Sequence, residues 1–364
     1  MSGDINLDAL YVALTQNDTC LSLSQIDRAA LQLMPEKGLA HDHVRIFGTG
    51  LILRVPRQSQ FALAAADNLA YQSACFKRAS QGAHAPRLHG VLPPSQSIPM
   101  GALIVDEIEG RTVELPADLP ALAECLASIH RLDIPPPEGR PPLANHRDPI
   151  AGTLAFINEQ AHFLDDATDD KGAVLLIKDE IRWAREFAYK NMGIFQPVTL
   201  VASDTHPGNY VVDNKGRAYI VDLEKALYGS PAIDLAHCSL YTSTTWDIAA
   251  SYIVDPNDVI AFYKSYFNCI EPALVRALEP WLMPMRRLTW LRSTTWSAKW
   301  RVESRKHSIL SKEVAENTED WSAENRDFQL MAHVEERTRD FLSTATVDRI
   351  CAEWRTGSEL TAAL

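Results

Sequence analysis

Three polar side chains stand at a spacing that chemistry can use: Asp204, Asn209 five residues on, and Asp222 thirteen beyond that. The first two lie in Ala202-Ser203-Asp204-Thr205-His206-Pro207-Gly208-Asn209, whose Pro, Gly and Asn read as a loop. The third follows the strand-like Tyr219-Ile220-Val221 and precedes Leu223-Glu224. Moving a phosphoryl group from a metal-bound nucleotide needs a carboxylate facing the acceptor hydroxyl, an amide oxygen on Mg²⁺ and a further carboxylate on the metal. A loop and a strand end carry all three here. The spacing points to a kinase of small molecules.

Whole-chain properties bound this reading without choosing it. The 364 residues can fill two or three domain-sized units, and 46% hydrophobic residues suffice for a globular core. A net charge of −12 disfavours nucleic acid and anionic membranes as partners, because clustered phosphates attract basic surfaces. The cysteines at 20, 75, 125, 238, 269 and 351 form no CxxC pair, which suggests neither zinc nor a disulfide scaffold and fits a reducing cytoplasm. With no basic leader and no run of about 18 apolar residues, the expectation is a cytoplasmic protein, monomer or homodimer.

The elements that must position these groups are legible in outline. Residues 22–35 suggest a short helix and a first strand. Val44-Arg45-Ile46-Phe47, the turn Gly48-Thr49-Gly50 and Leu51-Ile52-Leu53-Arg54-Val55 predict a hairpin closed by Pro56. An alanine-rich helix over 61–80 and a strand at 102–105 complete a small sheet with one helix over it, and Asp106-Glu107-Ile108-Glu109-Gly110 connects onward. From about 119 the apolar spacing becomes helical (Leu119, Leu122, Leu126, Ile129). The proline-rich stretch 134–142 reads as a stiff loop inside this helical part. Helical patterns resume over 150–192 and again over 231–364.

This order of parts resembles the aminoglycoside phosphotransferase and choline kinase family, bilobal relatives of the protein kinases, from about residue 36 to 240. The family's segment His-Gly-Asp-x-His-Pro-Gly-Asn, strand, Ile-Asp-x-Glu is matched at Asp204, His206, Pro207, Gly208, Asn209, Asp222 and Glu224. A second motif, Gly229-Ser230-Pro231-Ala232-Ile233-Asp234-Leu235-Ala236, follows in register. Turn formers explain the composition of the first motif but not both motifs together. The resemblance implies an α+β bilobal protein-kinase-like fold, a small antiparallel sheet lobe plus a larger helical lobe. It divides the chain into a nucleotide-binding lobe over 1–105, a hinge over 106–110 and a helical lobe over 111–364 with the catalytic loop and acceptor site. It also implies ATP and Mg²⁺ as cofactors and a small-molecule hydroxyl as acceptor. Asp204 would orient or take the hydroxyl proton, Asn209, Asp222 and Glu224 would hold metal, and Asp234 would brace the loop. Arg54 would grip the nucleotide phosphates, partnered by Gln72, while the Asp106 carbonyl and Ile108 N–H would read the base.

The departures keep a second reading in view, a catalytically degraded kinase-like protein that binds nucleotide without turnover. The family's His-Gly is Ala202-Ser203 here, its helix glutamate is Gln72, and the phosphate-covering loop over 36–43 has only Gly38. His206 suits loop packing better than base catalysis, and Glu107 and Glu109 read as a solvated charge run. For the acceptor, two features stay open. Tyr241, Trp246, Trp290, Trp296 and Trp300 are either helix packing or faces for a cationic amino alcohol. Arg286, Arg287, Arg292, Lys299, Arg301, Arg305 and Lys306 are either a solvated helix face or a basic wall that would repel polycationic aminoglycosides. Asp247 is the nearest carboxylate after the motif.

Overall fold

The structure, a computed structural model, describes residues 5–16, 23, 25–35, 40–310, 328–355 and 358–363. Strands β1 (Leu31–Leu33), β2 (His41–Ile46), β3 (Leu51–Pro56), β4 (Leu88–Leu92) and β5 (Ala102–Asp106) form one antiparallel sheet in the order β1-β2-β3-β5-β4. The expected hairpin is β2–β3, and its turn needs glycine, since Gly48 and Gly50 sit at φ +80° and +70°. The predicted short helix before β1 is only a 3₁₀ turn, Arg28–Ala30. Strand β4 and an N-terminal helix α1 (Leu7–Thr15) add to the sequence reading. β4 carries Gly90 at an irregular register, which weakens its strand pattern.

Period-2 alternation sorts the sheet into two faces. Leu53, Val44, Ile46, Ala102 and Ile104 bury with Leu10 and Leu14 of α1. Leu103 and Val105 turn the other way, toward α2 (Ala65–Ala79), whose Leu69, Cys75 and Phe76 join the main core. Arg54 alternates with Leu53 and Val55 and so leaves the α1 face, with its guanidinium 5.7 Å from the Phe76 ring centre. On β2, His43 stands directly opposite Arg54 in the ladder, and His41 two residues away. α2 begins at Ala65 rather than 61, since Ala62 adopts φ +52° and the Ser59 hydroxyl accepts the Leu63 N–H.

The remainder is helical around two short strand pairs. α3 (Leu119–His130), α4 (Pro149–Gln160), α5 (Leu164–Ala167) and α6 (Lys171–Lys190) precede β6 (Thr199–Val201). The 134–142 stretch is a loop, as its prolines dictate, with one 3₁₀ turn at Pro137–Gly139. β6 pairs with β9 (Leu227–Gly229), and β7 (Tyr210–Val212) pairs with β8 (Ala218–Ile220). The two pairs bring the loop between β6 and β7 beside the segment between β8 and β9. α7 (Pro231–Ser239) packs on β6, α8 (Tyr241–Thr244) follows, α9 (Pro256–Phe267) packs on α3, and the long α10 (Pro272–Leu310) packs on α4 and α7, before helices Phe328–Phe341 and Thr344–Cys351. Among the described residues no helix is long and apolar enough to cross a membrane, and the five described cysteines are free.

The connector after β5 is pinned to the catalytic half. Arg111 and Val212 exchange both backbone hydrogen bonds at 2.9 Å, and a Cβ on Gly110 would stand 2.3 Å from the Val212 carbonyl. A backbone carbonyl in a strand pair cannot move aside cheaply. Gly110→Ala is therefore expected to destabilise the protein by about 1–3 kcal/mol, the usual cost of overpacking. Calorimetry should read this as a lowered Tm, and an unchanged Tm would show that the connector is free to shift.

Candidate active site

The loop carrying Asp204 is held by one buried carboxylate. Asp234 is fully buried on α7 and accepts the N–H of Ala202 at 2.7 Å and of Ser203 at 2.8 Å, the bracing expected from the sequence. His130 of α3 meets the same carboxylate at 3.1 Å and is tied on its other nitrogen to the Tyr266 hydroxyl at 2.8 Å. The Thr205 hydroxyl donates to the Asp234 carbonyl, and the Thr205 N–H donates to Nδ1 of His237. Ser203 occupies the family's glycine position at φ +66°, a left-handed conformation that costs a side chain about 1–2 kcal/mol. Arg292 of α10 offsets it by donating to both the Ser203 hydroxyl (3.0 Å) and carbonyl (2.6 Å). Arg292 thus adds to the Asp234 brace where Ala202-Ser203 replaces the family's His-Gly.

Asp204 itself is partly exposed and faces cations. Its Oδ2 takes a 2.7 Å bond from Nζ of Lys225, and Nδ1 of His237 lies 3.8 Å from Oδ1. Burial pushes its pKa up, but Lys225, His206 and His237 outweigh burial and hold the carboxyl well below the usual range. It is ionised, as a proton acceptor must be. His237 is the opposite case: burial lowers it to about 3, against the pull of Asp204, so it is neutral and free to accept the Thr205 N–H. The His206 carbonyl accepts the Asn209 N–H, and its ring stands edge-on to His237.

Asn209 connects this group to the metal-type ligands. Its side-chain NH₂ donates to the Asp204 carbonyl at 2.9 Å, which leaves Oδ1 as the ligand atom, and its carbonyl accepts the Val221 N–H. Asp222 follows at once. Glu224 is buried beside it, and ligand atoms of Asp222, Glu224 and His41 lie within 4.8 Å of one another. The Glu224 Oε2 makes no hydrogen bond, and burial together with the Asp222 charge raises its pKa. Oxygen donors with an orphaned carboxylate atom suit a hard divalent cation such as Mg²⁺. The residues fit the metal.

Arg54 reaches the same place. Its Nη2 lies 2.5 Å from Asp222 Oδ1, its Nη1 donates to the Val221 carbonyl, and its Nε is buried without a partner. The expected Arg54–Gln72 hydrogen bond does not form. His41 stands between them, its Nδ1 accepting from Arg54 at 3.1 Å and its Nε2 meeting Gln72 Oε1 at 3.2 Å. A neutral imidazole relays the two, because burial and the Arg54 charge lower the His41 pKa far below its ordinary value. His43, also beside Arg54, is lowered to about 4 by the same two causes.

The sequence profile of the phosphotransferase enzyme family matches residues 36–261 of this chain. The chain belongs to that family. Solved structures agree on the fold: a choline/ethanolamine kinase family protein from Mesorhizobium loti is 16% identical at a TM-score of 0.55, covering 98% of this chain and 96% of that one. Plasmodium vivax ethanolamine kinase is 11% identical at 0.58, covering 95% and 91%. Aminoglycoside 2'-phosphotransferase-IIIa is 14% identical at 0.52, covering 92% and 98%. No curated protein matches the sequence. The phosphotransferase thus has the expected α+β bilobal protein-kinase-like fold.

Other expectations for the phosphotransferase need correction. Glu107 is not a solvated charge but a partner of Arg45 at 2.5 Å, fastening the connector to β2. The Asp106 carboxylate binds the Arg87 N–H and His89, so only its backbone is left for a base, while the Ile108 N–H has no partner among the described residues. Of the phosphate-covering loop, residues 36–39 lie outside the described residues. Four members of the basic run on α10 are engaged inside the fold rather than on a solvated face. Arg286 pairs with Glu353, Arg287 with Glu180 while stacking on Trp183, Arg292 with Ser203, and Arg301 with the Ala167 carbonyl. Trp290 and Trp300 are buried packing residues, whereas Trp246 and Trp296 form a half-buried edge-on pair. Asp247 caps the N–H groups of Ala249 and Ala250 and abuts Gly208.

Lys225, His41 and His237 escaped the sequence reading, and Arg292 was read only as part of a basic run. Lys225 had a signal, being the base directly after the acidic Asp222-Leu223-Glu224 stretch. The others are distant in sequence and meet the site only through β2, α7 and α10.

Two measurements follow. Asp234→Asn loses an ionic acceptor of two backbone N–H groups and should cost about 1.5–3 kcal/mol in denaturant unfolding, the range for bonds to a charged group; a smaller loss would move the brace elsewhere. His237 takes a proton near 6.5 when unfolded but only near about 3 when folded. In that window the unfolded chain binds more protons, so stability must fall as pH falls. His237→Asn should flatten this slope, and an unaltered slope would exclude His237 as its source.

Proposed function

We propose that this phosphotransferase moves the γ-phosphoryl group of ATP to a hydroxyl of a small molecule, an amino alcohol, sugar-like metabolite or antibiotic. The observation that carries the reading is the Asn209 bridge: its side-chain amide is bonded to the backbone of Asp204, and its backbone carbonyl accepts the N–H of Val221, next to Asp222. Proton acceptor and metal ligands are thereby held at a fixed spacing, and phosphoryl transfer is mostly a matter of positioning and charge. Asp204 receives the acceptor proton. Asn209, Asp222 and Glu224 hold Mg²⁺, which when bound neutralises the phosphate oxygens of the nucleotide. Arg54, braced through His41 by Gln72, grips the phosphates, and the Asp106 carbonyl and Ile108 N–H read the base across a hinge at 106–110.

The solved relatives bind small molecules of the same kinds: one is described with GDP, another with AMP-PNP and hygromycin B. GTP therefore belongs beside ATP in the test. Thermal stabilisation by each nucleotide with Mg²⁺, then nucleotide consumption across amino alcohols, sugars and aminoglycosides, decides the reading. Binding without turnover on any acceptor would return the degraded-kinase alternative. Asp204→Asn should lower kcat roughly 10²–10⁴-fold with nucleotide affinity kept, while Asp222→Asn should weaken the Mg²⁺-dependent stabilisation itself. Normal turnover by Asp204→Asn, or unchanged Mg²⁺ dependence in Asp222→Asn, would remove that residue from its role.

A further inference from the structure

We infer that Lys225 is a catalytic cation of this site, its ammonium stabilising the phosphoryl group in flight between the nucleotide and Asp204. The inference rests on the phosphotransfer reading above. Lys225 lies between β8 and β9 directly after Glu224, and its ammonium has Asp204 Oδ2 at 2.7 Å as its partner. Its side chain remains one-third exposed, 34%. The lysine directly follows Glu224, so its backbone adjoins the metal-type carboxylates while its ammonium is held on the proton acceptor.

That position lies along the transfer itself. A lone pair of the acceptor oxygen forms the new bond to the γ-phosphorus. The bond to the β,γ-bridging oxygen breaks, its electron pair leaving with the nucleoside diphosphate, and the hydroxyl proton passes to Asp204 Oδ1, the oxygen Lys225 leaves open. Lys225 neither gives nor takes a proton. An ammonium has three N–H donors, of which Asp204 uses one, so two remain for the equatorial oxygens of the moving phosphoryl. A fixed cation where charge spreads in the transition state lowers the barrier without reorganisation during the reaction. The same ammonium holds the Asp204 carboxylate in one orientation.

The test uses the full chain with Lys225→Met and Lys225→Arg. Turnover is measured on the acceptor found in the panel. Calorimetry then compares binding of Mg·ADP with and without fluoroaluminate, which mimics the planar phosphoryl. Lys225→Met should lower kcat roughly 10²–10³-fold, the loss typical of one charge-stabilising donor. Its KM and Mg·ADP affinity should stay within about twofold, and the extra tightening by fluoroaluminate should vanish. Lys225→Arg should restore part of both. Wild-type kcat and wild-type tightening in Lys225→Met would overturn the inference, as would equal loss of Mg·ADP and fluoroaluminate binding in both variants, since that marks a structural ion pair. Absence of turnover and tightening in the unsubstituted protein would instead sink the phosphotransfer reading, and the inference with it.

Discussion

The Asp234 carboxylate is the interaction on which the rest of the site depends. It is a carboxyl group with no solvent exposure, and such a buried polar group is tolerated only when its lone pairs are satisfied. Two backbone N–H groups and the His130 imidazole satisfy it, and the two N–H groups belong to the residues just before Asp204. Satisfying a buried polar group and aiming a reactive loop are thus one set of bonds. α7 can carry this carboxyl group because Ser230 caps its first turn and Pro231 starts it, which fixes Asp234 near the helix N-terminus where a negative charge is favoured. α10 then closes the loop from the far side through Arg292.

A second constraint is the alternation of charge and neutral imidazole across the cleft. Arg54 lies among His41, His43 and Asp222, and Asp204 lies among Lys225, His206 and His237. Three of those imidazoles are held neutral by burial, so they supply hydrogen-bond acceptors without adding charge to a crowded region. Glu224, raised by burial and by Asp222, is the group left unmatched. An excess of carboxylate at that corner is what a divalent cation would neutralise.

Much of the fold was readable because its signals are local. The β2–β3 hairpin announces itself through two glycines that need positive φ, α3 through its apolar spacing, and the 134–142 loop through prolines that cannot continue a helix. β4 was unreadable because Gly90 and the register irregularity break its alternation. Gln72 was read as the partner of Arg54 because it stands at the family's helix-glutamate position. Nothing in either segment reveals that His41, from a third element, fills the gap. The basic run on α10 misled for the same reason: charge density is visible in sequence, but Glu180, Glu353 and Ser203, which consume it, come from elsewhere in the chain.

The sequence by itself determined the reaction class and singled out the candidate groups. Asp204, Asn209 and Asp222 lie in short segments whose spacing survives any folding around them, and the downstream Asp234 motif keeps register with them. Only the tertiary structure decided how those groups are held and charged. His41, His237, Lys225 and Arg292 act across the fold, through distances of a few ångströms and through burial, and neither is encoded by neighbours in the chain. Hydrogen-bond partners and desolvation arise when separate elements meet, so the electrostatics of this site exist only once β2, α7 and α10 have packed.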